Sequence, residues 1–421
     1  MVPNGWNRIA LEKIAEVRSG VAKGKKGLKA PIEVPYLRVA NVQDGHVDLT
    51  EVKTIEIEQD KLERYSLKYG DVLMNEGGDY DKLGRGDVWL GQIEPCLHQN
   101  HVFAVRPNQD IVDSFFLAAL AASNYGKTYF LSCAKRSTNL ASINSTQIKE
   151  FPVLVPPLPE QKKIAQILST WDKAITTTGQ LLANSQQQKK ALMQQLLTGK
   201  KRLLDKYGVR FSGEWKDAPL NKMAEVIVSP VDKKTEPNEI PVELCNYTDV
   251  YYNHQITRNI TFMKATATKS EIAKYTLRQG DVIITKDSET PGDIAVPALV
   301  SEDLNGVVCG YHLAIVRPNI VYLNGAFLNY LFSMQSTRYY FFTLATGATR
   351  FGLSVGGINR AHFRVPEIAE QQKIAAVLSA ADQEISALQQ KLDALKQEKK
   401  ALMQQLLTGK RRVKIDNKEV A

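Results

Sequence analysis

The sequence predicts an α+β fold in which two similar globular domains are separated by two long α-helices. We expect these helices to pair as an antiparallel coiled coil about a pseudo-two-fold axis. The segment KKALMQQLLTGK occurs at 189–200 and again at 399–410. A helix-like opening precedes each copy, EQKKIAQILSTWDKAI from Glu160 and EQQKIAAVLSAADQEI from Glu370. Because a period of half the chain is too long for a solenoid, the repeat indicates one duplicated unit.

The duplication sets the predicted domain boundaries. The globular domains cover residues 1–155 and 201–365, the helical segments cover 156–200 and 366–412, and a basic and polar tail covers 413–421. In the first domain, short apolar runs between Gly, Asp and Asn turns predict strands. These strands are expected at Val34–Val39, Val52–Ile57, Asp71–Met74, Val88–Leu90 and Val102–Arg106. A single helix is expected over Val112–Leu131.

The second domain repeats the landmarks of the first. LKYGDVLM at 67–74 matches LRQGDVII at 277–284, and HVFAVRPN at 101–108 matches HLAIVRPN at 312–319. The residues between these landmarks hardly agree. The sequence therefore predicts a shared scaffold whose loops recognise different things.

The two long helices are expected over residues 160–198 and 370–408. Each would span about 58 Å at about 1.5 Å per residue, which corresponds to roughly 17 base pairs of DNA. Gly199 is a plausible residue just beyond a helix C-terminus. The second helix has a regular leucine seam that only Lys399 interrupts, whereas the first has a weak centre that contains Gly179.

The composition is typical of a globular protein with an excess of positive charge. The 54 Lys and Arg residues against 45 Asp and Glu residues leave a net charge of +9, which is common in proteins that bind polyanions. The four cysteines form no C-x-x-C pair, which favours a reducing compartment over a disulfide framework. The chain offers neither a signal-like N-terminus nor an apolar run near the length of a membrane span. We therefore expect a cytoplasmic protein without membrane contact.

Two groups of cations are candidate contact sites. One group follows the repeated helices and comprises Lys200, Lys201, Arg202, Lys410, Arg411, Arg412 and Lys414. These cations either face the negative end of the helix dipole or contact a nucleic acid or a partner. The other group lies between Arg18 and Lys29 in a loop without acids, for which a solvated surface is the alternative.

The sequence offers no catalytic constellation. It lacks the [DN]-P-P-[YF] motif of adenine methyltransferases, because Pro156-Pro157 has neither the acid nor the aromatic residue. Gly126-Lys127-Thr128 matches the end of the phosphate-binding motif G-x-x-x-x-G-K-[ST]. Ala121 occupies the position of the first glycine of this motif, so no phosphate-binding loop is predicted. His98 and His101 have the spacing of metal ligands but no second pair, so no metal site is predicted.

Four sequence features together carry a family resemblance. They are PPLPEQKKIAQILS at 156–169, PEIAEQQKIAAVLS at 366–379, the two ALMQQLLTGK endings, and the GDV and VRPN landmarks. With these motifs the chain resembles the specificity (S) subunit of type I restriction–modification systems. The resemblance spans the whole chain, in the order target-recognition domain, conserved helix, target-recognition domain, conserved helix.

The resemblance implies a subunit that is not itself catalytic and needs no cofactor. Each target-recognition domain would bind one half of a bipartite, asymmetric sequence in double-stranded DNA. The conserved helices would set the gap between the half-sites and dock two modification (methyltransferase) subunits. Those subunits would methylate adenine at N6 with S-adenosylmethionine, and restriction subunits would add translocation and cleavage that depend on ATP and Mg.

The candidate DNA contacts are cations and small polar residues on loops, because these groups bind phosphates and base edges. In the first domain they are Lys23, Lys25, Lys26, Lys135, Arg136, Ser137 and Asn139, with Asn75 and Lys82 as further candidates. In the second domain they are Lys233, Lys234, Lys286, Ser288, Thr349 and Arg350.

The candidate docking residues are polar residues that are identical in the two repeats. Pairing of the helices would require only the leucines to be alike, so identical polar residues suggest a surface that two copies of one partner recognise. They are Lys190, Gln194, Gln195, Lys200, Lys400, Gln404, Gln405 and Lys410. A recent duplication is the alternative explanation.

Two other functions remain open at the level of sequence. One is a coiled-coil scaffold with two protein- or glycan-binding heads and no role with DNA. The other is a stand-alone nuclease or methyltransferase, which would be active without partners. A DNA reader, unlike the scaffold, should lose affinity steeply as the salt concentration rises.

Overall fold

The computed structural model describes residues 2–23, 27–78, 83–84, 86–136 and 141–415. The described chain divides into two compact units. Unit 1 comprises residues 1–179 and 390–421, and unit 2 comprises residues 180–389. Each unit therefore combines one globular domain with part of both long helices.

Unit 1 is built from short strands and four short helices. Its strands are β1 (Asn7–Ala10), β2 (Ala15–Ser19), β3 (Pro31–Leu37), β4 (Val42–Gln43), β5 (His46–Val47), β6 (Lys53–Glu58), β7 (Val72–Asn75), β8 (Gly77–Gly78), β9 (Leu97–His98), β10 (Val102–Pro107), β11 (Lys135–Arg136), β12 (Ala141–Ser142) and β13 (Pro152–Val155). Its short helices are α1 (Leu62–Tyr65), α2 (Ser114–Ala122), α3 (Asn124–Cys133) and α4 (Ser145–Lys149).

The strands of unit 1 form several small sheets. The central sheet has the order β2-β10-β7 and is antiparallel. A second sheet has the order β6-β3-β9, in which β3 and β9 run parallel. The sheets β11-β12-β8, β1-β13 and β4-β5 complete the domain. The main core joins Phe103 of β10 and Phe116 of α2 to residues of both long helices, among them Leu168 and Leu406.

Unit 2 follows the same plan with a larger central sheet. Its strands are β14 (Lys216–Pro219), β15 (Ala224–Val228), β16 (Ile240–Cys245), β17 (Gln255–Ile256), β18 (Met263–Ala267), β19 (Val282–Thr285), β20 (Asp287–Ser288), β21 (Pro297–Val300), β22 (Val308–Cys309), β23 (Leu313–Pro318), β24 (Phe351–Gly352) and β25 (His362–Val365). Its short helices are α6 (Tyr247–Tyr251), α7 (Lys269–Tyr275), α8 (Gly325–Ser333), α9 (Gln335–Leu344) and α10 (Val355–Asn359).

The central sheet of unit 2 has five strands in the order β15-β23-β19-β21-β17. The sheets β18-β16-β22, β14-β25 and β20-β24 surround it. Its main core joins Val282 of β19 and Phe327 of α8 to residues of both long helices, among them Leu196 and Leu378. The α+β class is therefore confirmed.

The long helices are α5 (Leu158–Leu196) and α11 (Ile368–Leu406), each of 39 residues. Both helices were therefore predicted with the correct length, but each predicted range begins and ends two residues closer to the C-terminus than the observed helix. Pro159 falls inside the first turn of α5, where a residue without an N–H is tolerated. Gly199 and Gly409 follow the helices with φ angles of +71° and +67°, a conformation that glycine adopts without steric cost.

Within each unit the helix segments run antiparallel, as predicted. In unit 1, Lys399 of α11 forms an ion pair with Asp172 of α5, so the residue that interrupts the leucine seam has a partner across the pair. In unit 2, Lys189 forms the equivalent ion pair with Asp382. Ser185 Oγ also donates to Glu384 Oε1 at 3.0 Å.

Two predictions for the first domain are wrong. The helix expected over Val112–Leu131 is two helices, α2 and α3, because Ser123 breaks the first and accepts from the Gly126 N–H to cap the second. The strand expected at Val88–Leu90 is reduced to one bridge between Val88 and Val72. Hydrogen bonds from the Leu73 N–H to the Asp87 carbonyl and from the Trp89 N–H to the Asp71 carbonyl flank this bridge, and Leu90 is exposed.

Each unit also contains a joint that ties a long helix to the domain. In unit 1, buried Glu160 near the start of α5 accepts two hydrogen bonds of 2.6 Å from Arg412, and Trp6 Nε1 donates to it at 3.2 Å. In unit 2, buried Glu370 accepts two hydrogen bonds of 2.6 Å from Arg202. These contacts raise the pKa of both arginines, mainly through the hydrogen bonds to the carboxylates.

The joints decide the role of two cations that the sequence left open. Arg202 and Arg412 follow the helix C-termini, but their guanidinium groups are engaged within their own units. A buried Glu that loses such a bidentate partner would keep an uncompensated charge, so we assign both arginines to the fold.

The glutamines that follow the two buried glutamates are structural as well. Gln161 donates from Nε2 to the carbonyls of Ile111 and Pro156 at 2.9 and 2.8 Å. Gln371 donates in the same way to the carbonyls of Tyr322 and Pro366. The repeated Glu-Gln pair thus closes the start of each long helix onto the loops of its own domain.

The GDV and VRPN landmarks form one ion pair in each unit. Buried Asp71 binds Arg106 Nε and Nη2 at 2.8 and 2.7 Å, and buried Asp281 binds Arg317 Nε and Nη2 at 2.9 and 2.7 Å. Both landmarks therefore hold neighbouring strands together. Among the residues that the structure describes, no helix is long and apolar enough to cross a membrane.

Candidate nucleic-acid interface

The same backbone framework carries the predicted DNA-binding loops in both units. In unit 1, the Glu76 N–H donates to the His101 carbonyl at 3.0 Å, and the Ile143 N–H donates to the Glu76 carbonyl at 2.8 Å. In unit 2, the Lys286 N–H donates to the His312 carbonyl at 2.9 Å, and the Leu353 N–H donates to the Lys286 carbonyl at 3.0 Å. The residue after the GDV strand is thus clamped between two loops at the same place in each domain.

Short strand pairs bring the cationic loops next to this clamp. In unit 1, β8 pairs with β12, which pairs with β11 and so holds Lys135 and Arg136 beside the end of β7. A side chain at Gly77 would approach the Ala141 carbonyl oxygen to 2.8 Å, so this close strand contact requires glycine. In unit 2, β20 pairs with β24, which places Arg350 next to Asp287.

The side chains of unit 2 converge on Asp287. Its Oδ1 binds His312 Nδ1 at 2.6 Å and lies 3.5 Å from Arg350 Nε, and its Oδ2 lies 3.0 Å from Lys286 Nζ. Tyr311 packs edge-on against His312, with ring centroids 4.7 Å apart. The predicted contacts Lys286 and Arg350 therefore belong to one cluster.

A cavity of about 260 Å³ lies beside this cluster in unit 2. Its lining includes Lys233, Lys234, Tyr247 and Tyr311. Both lysines are exposed, so the predicted contacts of this loop border the same concave surface as His312. Exposed lysines at the edge of a concave surface are suited to contacts with phosphates.

The counterpart in unit 1 is more open. His101 Nδ1 pairs with Glu76, and both side chains reach solvent. Lys135 is exposed, and exposed Arg136 donates from Nη2 to the Leu131 carbonyl at 3.0 Å. Lys23 is also exposed, with its ammonium 5.8 Å from the centre of the Tyr36 ring.

Two predicted DNA contacts are buried. Asn75 is 1% exposed and its Nδ2 donates to the Val42 carbonyl at 2.9 Å. Ser288 is 7% exposed and its Oγ lies 3.1 Å from the Tyr247 hydroxyl. As placed, neither side chain presents its polar atoms to DNA, so the structure argues against direct contacts and for a role in holding the loops.

The remaining predicted contacts are exposed, partly buried or outside the described residues. Thr349 and Arg350 are exposed, and Lys286 is partly buried by its ion pair. Five predicted contacts lie outside the described residues, namely Lys25, Lys26, Lys82, Ser137 and Asn139.

All predicted docking residues, which lie in the long helices or just after them, are exposed. They are Lys190, Gln194, Gln195 and Lys200, with Lys400, Gln404, Gln405 and Lys410 in the second repeat. In unit 2, Lys190 and Gln194 line an open groove of about 970 Å³ together with Met193, Tyr339 and Phe342. Both aromatic side chains reach solvent, so the groove offers an apolar floor beside polar residues.

The two histidines with metal-ligand spacing have different partners. His98 is buried and its Nδ1 binds the Val102 carbonyl at 2.6 Å, whereas His101 pairs with Glu76. Burial lowers the pKa of His98 to about 4. Within the described ranges, no group of three or more His, Cys, Asp or Glu residues could hold a metal ion.

His101, His312 and Asp287 lie at the clamp but were not among the DNA contacts predicted from the sequence. A signal was present, because each histidine directly precedes the strand that ends in VRPN, and an acid follows each GDV strand within three residues. The acid is Glu76 in unit 1 and Asp287 in unit 2, so it does not occupy the same position in the two copies, and a search for matched residues overlooks it.

The comparisons with known proteins agree over nearly the whole chain. A family model described as the type I restriction modification DNA specificity domain matches residues 3–184 and 213–397. The putative type I restriction enzyme MjaX specificity subunit of Methanocaldococcus jannaschii is 27% identical over 98% of this chain and 95% of its own. The type I restriction enzyme EcoBI specificity subunit of Escherichia coli is 23% identical over 89% of this chain and 78% of its own.

Solved structures are similar in fold. The HsdS subunit from Thermoanaerobacter tengcongensis matches with a TM-score of 0.52 at 17% identity, over 97% of this chain and 98% of its own. The type I restriction–modification S subunit from M. genitalium matches with a TM-score of 0.56 at 11% identity, over 96% of this chain and 97% of its own.

Proposed function

The chain belongs to the type I restriction–modification DNA specificity family, and from this membership we propose that each unit reads one half of a bipartite, asymmetric DNA sequence. The family resemblance stated from the sequence is confirmed by the two matched domains. The division of the reading between the units is what the family resemblance implies, and the geometry of the two units supports it.

The observation that supports this division is the clamp shared by the two units. The same pair of backbone hydrogen bonds holds residue 76 in unit 1 and residue 286 in unit 2. The loops that meet there differ in sequence and in side-chain pairing. A constant frame with different side chains suits two domains that read different bases, because base readout depends on the side chains that reach the groove.

The exposed cations supply the part of the affinity that does not depend on sequence. Lys135 and Arg136 in unit 1, and Lys233, Lys234 and Arg350 in unit 2, lie on the loops of the frame or on the cavity beside it. Their contacts to phosphates would displace counterions, so the affinity should fall steeply with salt.

The long helices would dock two modification subunits and set the half-site separation. The eight exposed polar residues shared by the repeats give each copy of the partner the same surface. In unit 2, the groove that contains Tyr339 and Phe342 adds apolar area next to Lys190 and Gln194. Aromatic side chains beside polar residues are typical of the centre of a protein interface.

The chain itself would remain non-catalytic in this assembly. The modification subunits would transfer the methyl group of S-adenosylmethionine to adenine N6. Restriction subunits, where present, would use ATP and Mg for translocation and cleavage.

Methylome sequencing tests the proposal. The gene is introduced with its neighbours into a host that lacks adenine methylation, and methylated adenines are mapped. We expect one bipartite motif with two unlike halves. If the neighbours encode a functional methyltransferase and the modified sites share no bipartite motif, the proposal fails.

Salt dependence separates the proposal from the scaffold alternative. We expect the affinity of the assembled complex for a duplex with the mapped motif to fall by about 10³-fold or more between 50 and 200 mM salt. A complex with no measurable affinity for this duplex, but with affinity for a protein or glycan, would favour the scaffold.

Docking is tested by the stoichiometry of the complex. We expect Lys190→Glu with Gln194→Ala to lower the number of bound modification subunits from two to one, and Lys400→Glu with Gln404→Ala to do the same. Gln188→Ala and Glu398→Ala are matched controls, because these exposed positions differ between the repeats. Two bound subunits in both double variants would place docking elsewhere.

A further inference from the structure

The structure assigns Asp287 as the residue that positions a base-reading head in unit 2, in which Arg350 is the reading group and His312 supports it. This inference rests on the proposed function and adds the residue that orients the reading group. Asp287 was not among the residues that the sequence pointed to. Its assignment comes from the way three side chains from separate segments converge on one carboxylate.

The negative charge of Asp287 is unfavourable for the attraction of DNA. A surface that only attracts phosphates gains from more cations and loses from an acid among them. Asp287 nevertheless lies between Lys286 and Arg350, with its side chain only 12% exposed. A buried acid at this place lowers the attraction for DNA, so Asp287 does not serve that attraction. Its contacts with Lys286, His312 and Arg350 point instead to the geometry of these partners.

The contact with Asp287 decides which ring nitrogen of His312 carries the proton. A carboxylate only accepts hydrogen bonds, so His312 Nδ1, 2.6 Å from Asp287 Oδ1, carries the proton. In the neutral ring, Nε2 is then an acceptor. Arg350 Nη2 lies 3.5 Å from this atom, within reach of a long hydrogen bond. The ring of His312 therefore has a fixed orientation.

Asp287 and His312 orient the guanidinium group of Arg350. Its Nε faces Asp287 and its Nη2 faces His312, while the side chain is 56% exposed. Among the described residues, Nη1 has no recorded hydrogen-bond or ion-pair partner. A guanidinium held along one edge can offer its other edge to the O6 and N7 acceptors of a guanine in the major groove. We therefore expect unit 2 to read a guanine with Arg350.

A backbone hydrogen bond and a strand pair attach the base-reading head to the frame. The Lys286 N–H donates to the His312 carbonyl, and β20 pairs with β24 next to Arg350. Tyr247 contacts Ser288, the second residue of β20. The carboxylate that orients Arg350 is thus fixed by the central sheet, whereas Arg350 itself comes from an exposed loop.

The test compares the methylomes of hosts that carry the wild-type system or the variant Asp287→Asn. Asn keeps the size of the side chain but removes the charge that holds Arg350 and Lys286. We expect the half-site read by unit 2 to accept other bases at a guanine position, with about tenfold lower discrimination, while the other half-site is unchanged. Arg350→Ala identifies which half-site and which position this is.

The double variant Asp287→Asn with Arg350→Ala decides whether Asp287 acts through Arg350. We expect it to discriminate no worse than Arg350→Ala alone, because residues that act together have non-additive effects. Glu243→Gln is the matched control, since Glu243 also binds one lysine and one arginine at 2.6 Å, and these are not predicted contacts. It should leave the motif unchanged.

Three outcomes overturn the inference. An unchanged motif in Asp287→Asn would exclude a positioning role. If methylation is lost altogether, the purified complex is tested by competition between the motif duplex and a duplex substituted at the guanine. An equal loss for both duplexes would show a structural role only. If the wild-type motif has no bipartite form, the proposed function falls, and this inference falls with it.

Discussion

The two units hold a histidine–acid pair at the same place but build it differently. In unit 1 the acid is Glu76, the clamped residue itself, and His101 is 55% exposed. In unit 2 the clamped residue is Lys286, the acid is the next residue, and His312 is 25% exposed and bound to Asp287. The backbone hydrogen bonds are the same, so the frame does not depend on which side chain carries the charge.

The comparison shows how one scaffold can carry two different sets of outward-facing side chains. The frame is made by backbone groups and by the buried pairs Asp71–Arg106 and Asp281–Arg317, which are alike in both units. The residues that face outward from the frame are free to change because they contribute little to the core. Four predictions test this comparison, beginning with the largest expected effect.

The joints should stabilise the units independently. Removal of Glu370 leaves Arg202 without its carboxylate in a half-buried site, so we expect Glu370→Ala to destabilise unit 2 by about 3 kcal/mol. Glu160→Ala should cost less in unit 1, because the side chain of Arg412 is 45% exposed, against 20% for Arg202, and water can solvate its charge. Hydrogen exchange followed by mass spectrometry reports each unit separately, and exposed Glu367→Ala is the control. Equal loss of protection in both units from one variant would mean that the joints are coupled.

Acid should destabilise unit 1 before unit 2. His98 in β9 of unit 1 corresponds to Cys309 in β22 of unit 2, since each faces the last residues of a parallel neighbour. Burial lowers the pKa of His98 from 6.5 to about 4. The folded state therefore excludes a proton that the unfolded state binds below about pH 6.5, and stability is lost as the pH falls from there toward 4.

The loss in unit 1 should reach about 2 kcal/mol at pH 5. Pulse proteolysis in urea at pH 7 and pH 5, read through peptides from each unit, measures it. His98→Cys, which copies unit 2, should remove this part of the pH dependence. The interpretation is wrong if unit 1 and unit 2 respond equally to acid in the wild type and in the variant.

Each cationic loop should act on one half-site only. We expect Arg136→Ala and Arg350→Ala each to weaken binding by about 1–3 kcal/mol, and each effect to disappear when the corresponding half-site is scrambled. Electrophoretic shifts with one half-site scrambled at a time measure this. Equal losses on both halves would contradict the assignment of one half-site to each unit.

The smallest expected difference concerns the two tryptophans at the joints. Trp6 Nε1 donates to Glu160, whereas the buried Trp215 Nε1 has no hydrogen-bond partner among the described residues. Trp6→Phe should cost about 1 kcal/mol and leave a carboxylate with one donor fewer. Trp215→Phe should cost less than Trp6→Phe, because both variants lose packed ring volume but Trp215→Phe also removes an unsatisfied group. Thermal unfolding of both variants, with hydrogen exchange to locate the effect, checks the difference.

Much of the fold could be predicted because repetition and periodicity are local signals. The long helices were predicted with the correct length, since the same opening and the same ending occur in both halves of the chain and glycine follows each end. The break at Ser123 was missed because the residues around it have a helical pattern, and the cap that divides α2 from α3 involves only a hydroxyl group. The isolated bridge at Val88 was missed because a short apolar run does not reveal whether a partner strand continues beside it.

The candidate site was predicted less completely. Arg350, Lys233 and Lys234 are exposed as expected, but Asn75 and Ser288 are buried. Loop composition indicates polar residues without showing which of them point inward. His312 and Asp287 lie 25 positions apart, and only the pairing of strands brings their side chains to 2.6 Å.

The sequence by itself determined the duplication, the two long helices, the family and the polar residues common to both repeats. These properties are visible because they depend on residues close together in the chain or on identity between its halves. Tertiary structure decided the division into units, since each core takes residues from both long helices. It also decided that Arg202 and Arg412 serve the fold and that Asp287 holds Arg350. Contacts between distant segments depend on how strands pair, which no local pattern specifies.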